Sequence, residues 1–318
     1  MRDAKLYIVI PCYNEEAVLP ETAKRLESLL SGMIQKGMVS RESRTVFVDD
    51  GSKDKTWSMI AELSRKNPLF QGIKLARNTG HQNALLAGLL SICEYCDCCI
   101  SVDADLQDDI EKIPEFVAKF YEGCDIVYGV RSKRETDSWF KRFTARAFYK
   151  LMKLLGADVV ENHADYRLMS RRAIEALAQF PEVNLFLRGM VRLVGFRTGT
   201  VHYERMERFA GESKYPLKKM LSFAFDGITS FSIQPIRLVW GLGVFVCVLA
   251  VAAAVYTLCA RAFGVSVTGW SSLMISIWFL GGVQLVSVGV IGEYIGKIYK
   301  EVKRRPRYII EESTLEDK

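Results

Sequence analysis

Two long runs of this 318-residue chain lack charge altogether: no Asp, Glu, Lys or Arg occurs from Leu238 to Ala260, and none from Ala262 to Gly292. A helix needs roughly 20 apolar residues to cross a bilayer. Each run is therefore long enough to span, and a buried hairpin inside a soluble core fits such lengths poorly. Arg261 alone separates the two runs, in the short turn "CARAFGVSVTG". A signal-peptide pattern is also missing, since "MRDAKLYIVI" runs straight into a strand-like segment and Pro11. The first apolar arm is accordingly expected to start from the cytoplasm. There is no internal repeat and no low-complexity tract, so nothing argues for a repeat array.

Zinc-site spacing is absent too. Among eight cysteines, Cys93, Cys96, Cys98 and Cys99 crowd into "CEYCDCC", without a second C-x-x-C element or histidines at matching distance. Cys98 and Cys99 open an apolar strand, where neighbouring side chains point to opposite faces. They are expected to be reduced, buried thiols. His81 and His163 have no acidic or metal-like partners at suitable sequence spacing, and neither is assigned a catalytic role.

What charge there is has a pattern. The net charge is +6, and much of it gathers in "KIYKEVKRRPRY" after the second apolar run. Together with Arg237 before the first run, this basic tail predicts a cytoplasmic location for both termini under the positive-inside rule. It suits an anionic lipid surface better than nucleic acid. Four segments are predicted: a cytoplasmic domain over 1–215, an amphipathic interfacial helix over 216–234, two transmembrane helices over 235–295, and a basic cytoplasmic tail over 296–318. The interfacial helix rests on Leu217, Met220, Leu221, Ala224 and Phe225 along one face, with Lys218 and Lys219 on the other.

The first 130 or so residues alternate β-branched runs with helical patterns, which predicts an α/β fold around a mostly parallel sheet. "LYIVI", "TVFVDD", "GIKLAR", "CCISVDAD" and "DIVYGV" read as strands. Ligands of such sheets bind outside the carboxyl ends of the strands. Five polar clusters fall at those ends: "CYNEE", "DDGSKD", "RNTGHQN", "DADLQDD" and "GVRSKR". In the fourth, Asp103 and Asp105 are two residues apart, so in an extended stretch they point the same way. Two such carboxylates can share one hard cation, Mg²⁺ or Mn²⁺, and through it a diphosphate.

The stretches "PCYNEE" (11–16), "VDDGSKD" (48–54), "RNTGHQNAL" (77–85), "DADLQD" (103–108), "YGVRSKR" (128–134), "DYRLMSR" (165–171), "LFLRGM" (185–190), "RFAGESKY" (208–215) and "GEYIGKIYKEVKRRPRY" (292–308) occur in that order. Together they resemble inverting glycosyltransferases of family 2, and more narrowly the polyprenyl-phosphate glycosyltransferases, such as dolichol-phosphate mannose synthases and bactoprenol glucosyltransferases. The resemblance implies a GT-A fold for the catalytic domain. It implies that Pro11, Tyr13, Glu15 and Asp50 line the nucleotide pocket and that Arg77 and Asn78 close it. Asp103, Asp105 and Gln107 would hold the metal, with Asp105 counted as catalytic. Arg131, Arg208, Ser213 and Lys214 would bind phosphate groups of donor and acceptor. Asp165 takes the family's candidate base position, although orienting Arg167 or the acceptor is an equal alternative. Asp109 departs from the pattern, since many relatives have proline there.

The implied reaction is transfer of a hexose, glucose first, from a uridine diphosphate sugar to undecaprenyl phosphate in the plasma membrane. N-acetylglucosamine or mannose donors remain alternatives, as does a non-catalytic sugar-nucleotide sensor. A homo-oligomer, tetrameric in the family, is also implied, and Gly292 and Gly296 form a small-xxx-small pair suited to close helix contact. A processive polysaccharide synthase would carry Q-x-x-R-W, but in "QPIRLVW" Leu238 follows Arg237.

Overall fold

The computed structural model describes residues 3–131, 163–183, 185, 187–204, 234–262 and 269–315. These form two compact units. One contains the described residues up to 204 together with 305–315, and the other contains 234–262 and 269–304. Of the helix expected over 216–234, all but the last residue lies outside the described residues.

The first unit is built on one sheet of eight strands: β1 (Leu6–Cys12), β2 (Arg44–Asp49), β3 (Phe70–Leu75), β4 (Cys98–Ser101), β5 (Ile126–Arg131), β6 (His163–Ser170), β7 (Thr198–Tyr203) and β8 (Ile310–Ser313). Their order is β7-β5-β6-β4-β1-β2-β3-β8. The pairs β4–β1, β1–β2, β2–β3 and β5–β7 are parallel, whereas β6 runs antiparallel between β4 and β5. The central strands read as unbroken apolar runs because helices cover both faces. All seven residues of β1 are buried.

Among the described residues six helices belong to this unit: α1 (Leu19–Gln35), α2 (Thr56–Lys66), α3 (His81–Ile92), α4 (Ile113–Tyr121), α5 (Arg171–Ala178) and α6 (Leu187–Leu193). Leu19, Ala23, Leu26 and Leu30 recur at helical spacing and are among the residues α1 buries. They join one core layer with Ile8, Phe47 and Cys98, while α3 shares the other layer with Val9, Val48 and Cys99. Cys98 and Cys99 thus pack on opposite faces, as the strand period requires. Burial pushes both thiols well above the ordinary cysteine range.

Pro11 sits inside β1, where a missing N–H would normally break a ladder. Here it does not. Val9 accepts from Val102 N–H toward β4, and β4 pairs no further along β1 than Val9. Pro11, two residues on, faces the same side beyond the end of β4. The sheet opens between β1 and β4 at that point.

The tail has structure the sequence pattern did not reveal. Beyond the basic residues it returns to the first unit and adds β8 antiparallel to β3, with Ile73 opposite Ser313 and Lys74 opposite Glu312. Ala76 N–H donates to the Ile309 carbonyl at 2.9 Å, and Trp57 Nε1 donates to Glu312 at 3.2 Å. Lys74 pairs with both Glu311 (3.3 Å) and Glu312 (3.1 Å).

The second unit consists of α7 (Gln234–Ala262) and α8 (Trp270–Val302), of 29 and 33 residues. At 1.5 Å per residue each exceeds the roughly 30 Å hydrocarbon core of a bilayer. Gln234–Ala253 and Phe279–Val302 are apolar enough to cross one. Large apolar side chains such as Trp240, Phe245, Leu249, Leu285 and Val288 are exposed along them.

Packing in the sheet unit is close at Gly88 on α3. A Cβ there would fall 2.5 Å from Val9 Cγ1 and 2.8 Å from Val48 Cγ2. Branched side chains on central strands have no room to withdraw. Gly88→Ala is expected to cost about 1–3 kcal/mol, read as a lower midpoint in thermal unfolding of the detergent-solubilised protein.

Candidate functional site

Because β1 to β5 and β7 point the same way, their carboxyl ends share one edge of the sheet, and β6 brings its amino end there. The chain passes from β1 outward to β2 and β3, then crosses back to β4 on the other side. This is the switch point at which open α/β sheets bind ligands, and it coincides with the gap at Pro11.

On the β1–β3 side the loops are laced together. Asn14 adopts φ 54°. Its backbone N–H donates to Ser52 Oγ at 2.9 Å, and its side-chain oxygen accepts from Lys53 N–H at 2.9 Å. Glu15 N–H donates to Thr56 Oγ1 at 2.9 Å. Tyr13 is left 42% exposed beside this turn, while Pro11 is buried. Asp50 is also buried, and its carboxylate accepts from Thr79 N–H (2.7 Å), Thr79 Oγ1 (3.0 Å) and Gly80 N–H (2.9 Å). Its side chain is thereby committed to shaping the loop that carries Arg77 and Asn78, both of which are exposed. Gly51 completes the lock. It has φ +65°, and a Cβ on it would stand 2.5 Å from the Arg77 carbonyl carbon. Only glycine fits so close a backbone approach at positive φ.

The four carboxylates of "DADLQDD" divide into two pairs. Asp108 is buried and accepts from Tyr203 OH (2.6 Å) and Arg131 Nη2 (3.1 Å). Asp109 caps the 3₁₀ turn Ile110–Lys112 by accepting from Glu111 N–H at 3.1 Å. A proline at that position would have supplied the turn but not this cap. Asp103 and Asp105 remain at the crevice, though not by strand alternation: β4 ends at Ser101, and both lie beyond it. Instead a tight turn sets them, with Leu106 at φ 57° and Gln107 N–H donating to Asp105 at 3.1 Å. Residues in such strained backbone cluster at functional sites.

The Asp103 side chain is 35% exposed but otherwise walled in by protein. Burial raises its carboxyl to about 6. His81 works against the rise, while Asp108, Asp165 and Asp105 reinforce it. Among the described residues no group of three His, Cys, Asp or Glu side chains is arranged to enclose a metal. Two adjacent carboxylates with oxygen donors only suit a cation whose remaining ligands are substrate phosphates and water. The residues fit Mg²⁺ or Mn²⁺ in that mode.

Asp165, on β6, is held by two arginines. Arg167 Nη2 donates to it at 3.1 Å, and Arg188 donates from Nε (3.2 Å) and Nη2 (3.1 Å). Burial alone would raise its pKa, but Arg188 and Arg167 overcome this and hold the carboxyl well below the usual carboxylate range. Arg171 is not a partner; it pairs with Asp97 at 3.6 Å. His81 corrects the sequence reading, which found it no acidic neighbours: Nε2 stands 3.5 Å from Asp103 and 3.7 Å from Asp165. Helix α3 starts at His81, and sequence spacing could not show which strand ends it would meet. Arg188 was missed as a site residue although "LFLRGM" had been singled out. Arg208, Ser213 and Lys214 lie outside the described residues.

The model of the glycosyl transferase family 2 matches residues 7–178, more than half of the chain. The chain belongs to glycosyltransferase family 2. Its sheet unit has the GT-A fold, and the GtrB C-terminal hairpin matches residues 234–298. Over 306 residues the transferase is 54% identical to the uncharacterised glycosyltransferase YkoT of Bacillus subtilis, covering 96% of this chain and 91% of that one. It is 42% identical to the SfII prophage-derived bactoprenol glucosyl transferase of Shigella flexneri, covering 97% and 98% respectively. Among solved structures, it is similar to glucosyl-3-phosphoglycerate synthase of Mycobacterium tuberculosis in complex with Mn²⁺, UDP and phosphoglyceric acid. That match has 18% identity and a TM-score of 0.48, over 71% of this chain and 76% of that one.

The raised Asp103 pKa carries a sign. The ordinary carboxyl value is 3.8 and the folded value about 6, so Asp103 takes up a proton as pH falls through 6 while an unperturbed aspartate would stay ionised. A metal ligand must be deprotonated. Mn²⁺ affinity in the presence of UDP is expected to fall by about tenfold between pH 7.5 and pH 5, measured by titration calorimetry.

Proposed function

We propose that this glycosyltransferase moves glucose from UDP-glucose to undecaprenyl phosphate, with inversion at the anomeric carbon, at the cytoplasmic face of the plasma membrane. The observation that carries the reading is the crevice itself: a carboxylate pair, Asp103 and Asp105, stands beside guanidinium groups that buried carboxylates hold in place. Similarity to bactoprenol glucosyl transferases over almost the whole chain, the hairpin included, supports the same reading.

Asp103 and Asp105 would hold the divalent cation, which when bound supplies Lewis-acid stabilisation of the leaving nucleotide diphosphate. Tyr13, Glu15, Arg77 and Asn78 line the side of the crevice formed by β1 and β3, and Asp50 with Gly51 fixes its shape. Gln107 shares the turn that presents Asp105. The acceptor needs little activation, because a phosphate monoester has a second pKa near ~6. Asp165, gripped by two arginines, is too weak a base to be useful and acts by orientation. Arg208, Ser213 and Lys214 remain phosphate-binding candidates from the family resemblance.

Membrane placement draws on the lengths of α7 and α8 and on β8. The described residues up to 204 and those from 305 to 315 belong to one folded unit, which supports two spans that return the chain to its starting side. Lys297, Lys300, Lys303, Arg304, Arg305 and Arg307 favour the cytoplasm for that side. A homo-oligomer is supported by the small-xxx-small spacing of Gly292 and Gly296 on α8. A donor carrying N-acetylglucosamine or mannose is the second reading, since no described contact selects the sugar.

The test is transfer of radiolabel from a panel of nucleotide sugars to undecaprenyl phosphate by the purified full-length protein with Mg²⁺ or Mn²⁺. Chloroform-soluble label is expected from UDP-glucose, abolished by EDTA and lowered by at least ~100-fold in Asp105→Ala. Label from a different donor would reassign the sugar. Tight nucleotide binding with no lipid-linked label from any donor would replace the transferase reading with a sensor.

A further inference from the structure

Strand β8 is held to the sheet by something other than core burial, since all four of its residues are exposed. Its contacts run along β3 and α2. Thr314 N–H donates to the Gly72 carbonyl at 2.9 Å, and Gly72 N–H donates to Thr314 Oγ1 at 2.7 Å. Glu312 accepts from Trp57 Nε1 on α2 and pairs with Lys74, whose ammonium lies 6.0 Å from the centre of the Trp57 ring. The flanks are pinned as well. Tyr308 and Leu315 pack against the core layer that contains α3, and Arg307 Nη2 donates to the Phe180 carbonyl.

At its amino end this segment reaches the crevice. Strand β3 stops at Leu75, yet the pairing continues past it, with a register shift at Lys74–Leu75 and the bond from Ala76 N–H to the Ile309 carbonyl at 2.9 Å. Arg77 and Asn78 come next and are exposed. Thr79 and Gly80 follow, and Asp50 fixes their N–H groups at 2.7 and 2.9 Å. The two exposed side chains therefore sit on a short span tied at both ends, by the tail on one side and by Asp50 on the other. A strand kept only to cover the edge of β3 would need no bond beyond Leu75. Holding a loop in its binding conformation removes part of the ordering cost of binding.

We infer that β8 is a positioning element for the donor: by docking along β3 it fixes Ala76, and so presents Arg77 and Asn78 to the nucleotide. The inference rests on the nucleotide side of the crevice proposed above and adds to it a segment from the far end of the chain. Linkage makes the effect reciprocal. A nucleotide that favours the docked strand must also hold that strand in place.

The experiment uses the full-length protein in detergent. Wild type is first exposed to a Glu-specific protease with and without saturating UDP and Mn²⁺, and cleavage after Glu311 and Glu312 is followed by mass. UDP is expected to slow this cleavage severalfold, although the nucleotide loops do not include β8. The double variant Glu312→Ala/Thr314→Pro then removes the partners of Trp57, Lys74 and Gly72 without touching the crevice. Deuterium uptake over residues 76–80 should rise in it, and calorimetry should show UDP affinity roughly 10-fold weaker. Gly88→Ala serves as a stability control, with a lower thermal midpoint and UDP affinity within about twofold of wild type. Unchanged cleavage with UDP bound, or wild-type UDP affinity in the double variant despite faster exchange at 76–80, would overturn the positioning role. So would an equal loss of UDP affinity in Gly88→Ala, which would make the effect one of general stability. Wild type that binds UDP under control of β8 but transfers no sugar keeps the positioning role and defeats the proposed reaction. Wild type that binds no UDP defeats both.

Discussion

Repulsion among carboxylates at the end of β4 is the constraint around which this site is arranged. Asp103, Asp105, Asp108 and Asp109 fall within seven consecutive positions, and Asp165 arrives beside them from β6. The fold disposes of this charge piecewise. Asp109 caps a turn, Asp108 goes to Arg131 and Tyr203, and Asp165 goes to Arg167 and Arg188. What remains is Asp103 and its neighbour Asp105, with Asp103 still raised by the others. A divalent cation would remove that residual strain, and a binding site is in this sense the part of an electrostatic problem that the protein leaves unsolved.

The antiparallel insertion of β6 makes the arrangement possible. A strand parallel to β4 would bring its carboxyl end to the crevice, with a crossover helix behind it. Running the other way, β6 delivers Asp165 at its start and sends Arg167 back into the core, where it is 2% exposed. Arg167 pays heavily for this burial, and burial lowers its pKa. It persists because Asp165 accompanies it. Removing Asp165 would strand the Arg167 charge in a poorly hydrated interior.

Much of the sheet unit was legible in the sequence because parallel central strands are written as continuous apolar runs and their helices as amphipathic ones. "LYIVI" and the α1 stripe from Leu19 to Leu30 needed no tertiary information, and strand ends rich in polar groups pointed to one edge. The spacing of Asp103 and Asp105 singled out the two carboxylates that the fold leaves at the crevice, but the strand alternation behind that reading does not hold: the strand stops at Ser101 and a turn takes over. His81 and Arg188 escaped notice because their partners are set by how α3 and α6 meet β4 and β6, which residue spacing does not encode. Asp50 and Gly51 act through the loop they lock, so their motif was visible but their mode of action was not. β8 was hidden by its own composition, since four exposed residues at the margin of a sheet carry little apolar signal.

That eighth strand also orders events during synthesis. Trp57 and its partner Glu312 are 255 residues apart. Between them the ribosome must make both long apolar helices. Until then β3 presents a bare edge, and the loop bearing Arg77 lacks the bond from Ala76 to Ile309. The β3 side of the crevice is therefore the last part of the catalytic unit to be finished, after both apolar helices have been made. Synthesis of both long apolar helices and completion of the catalytic unit are consecutive steps, with the apolar segment made first.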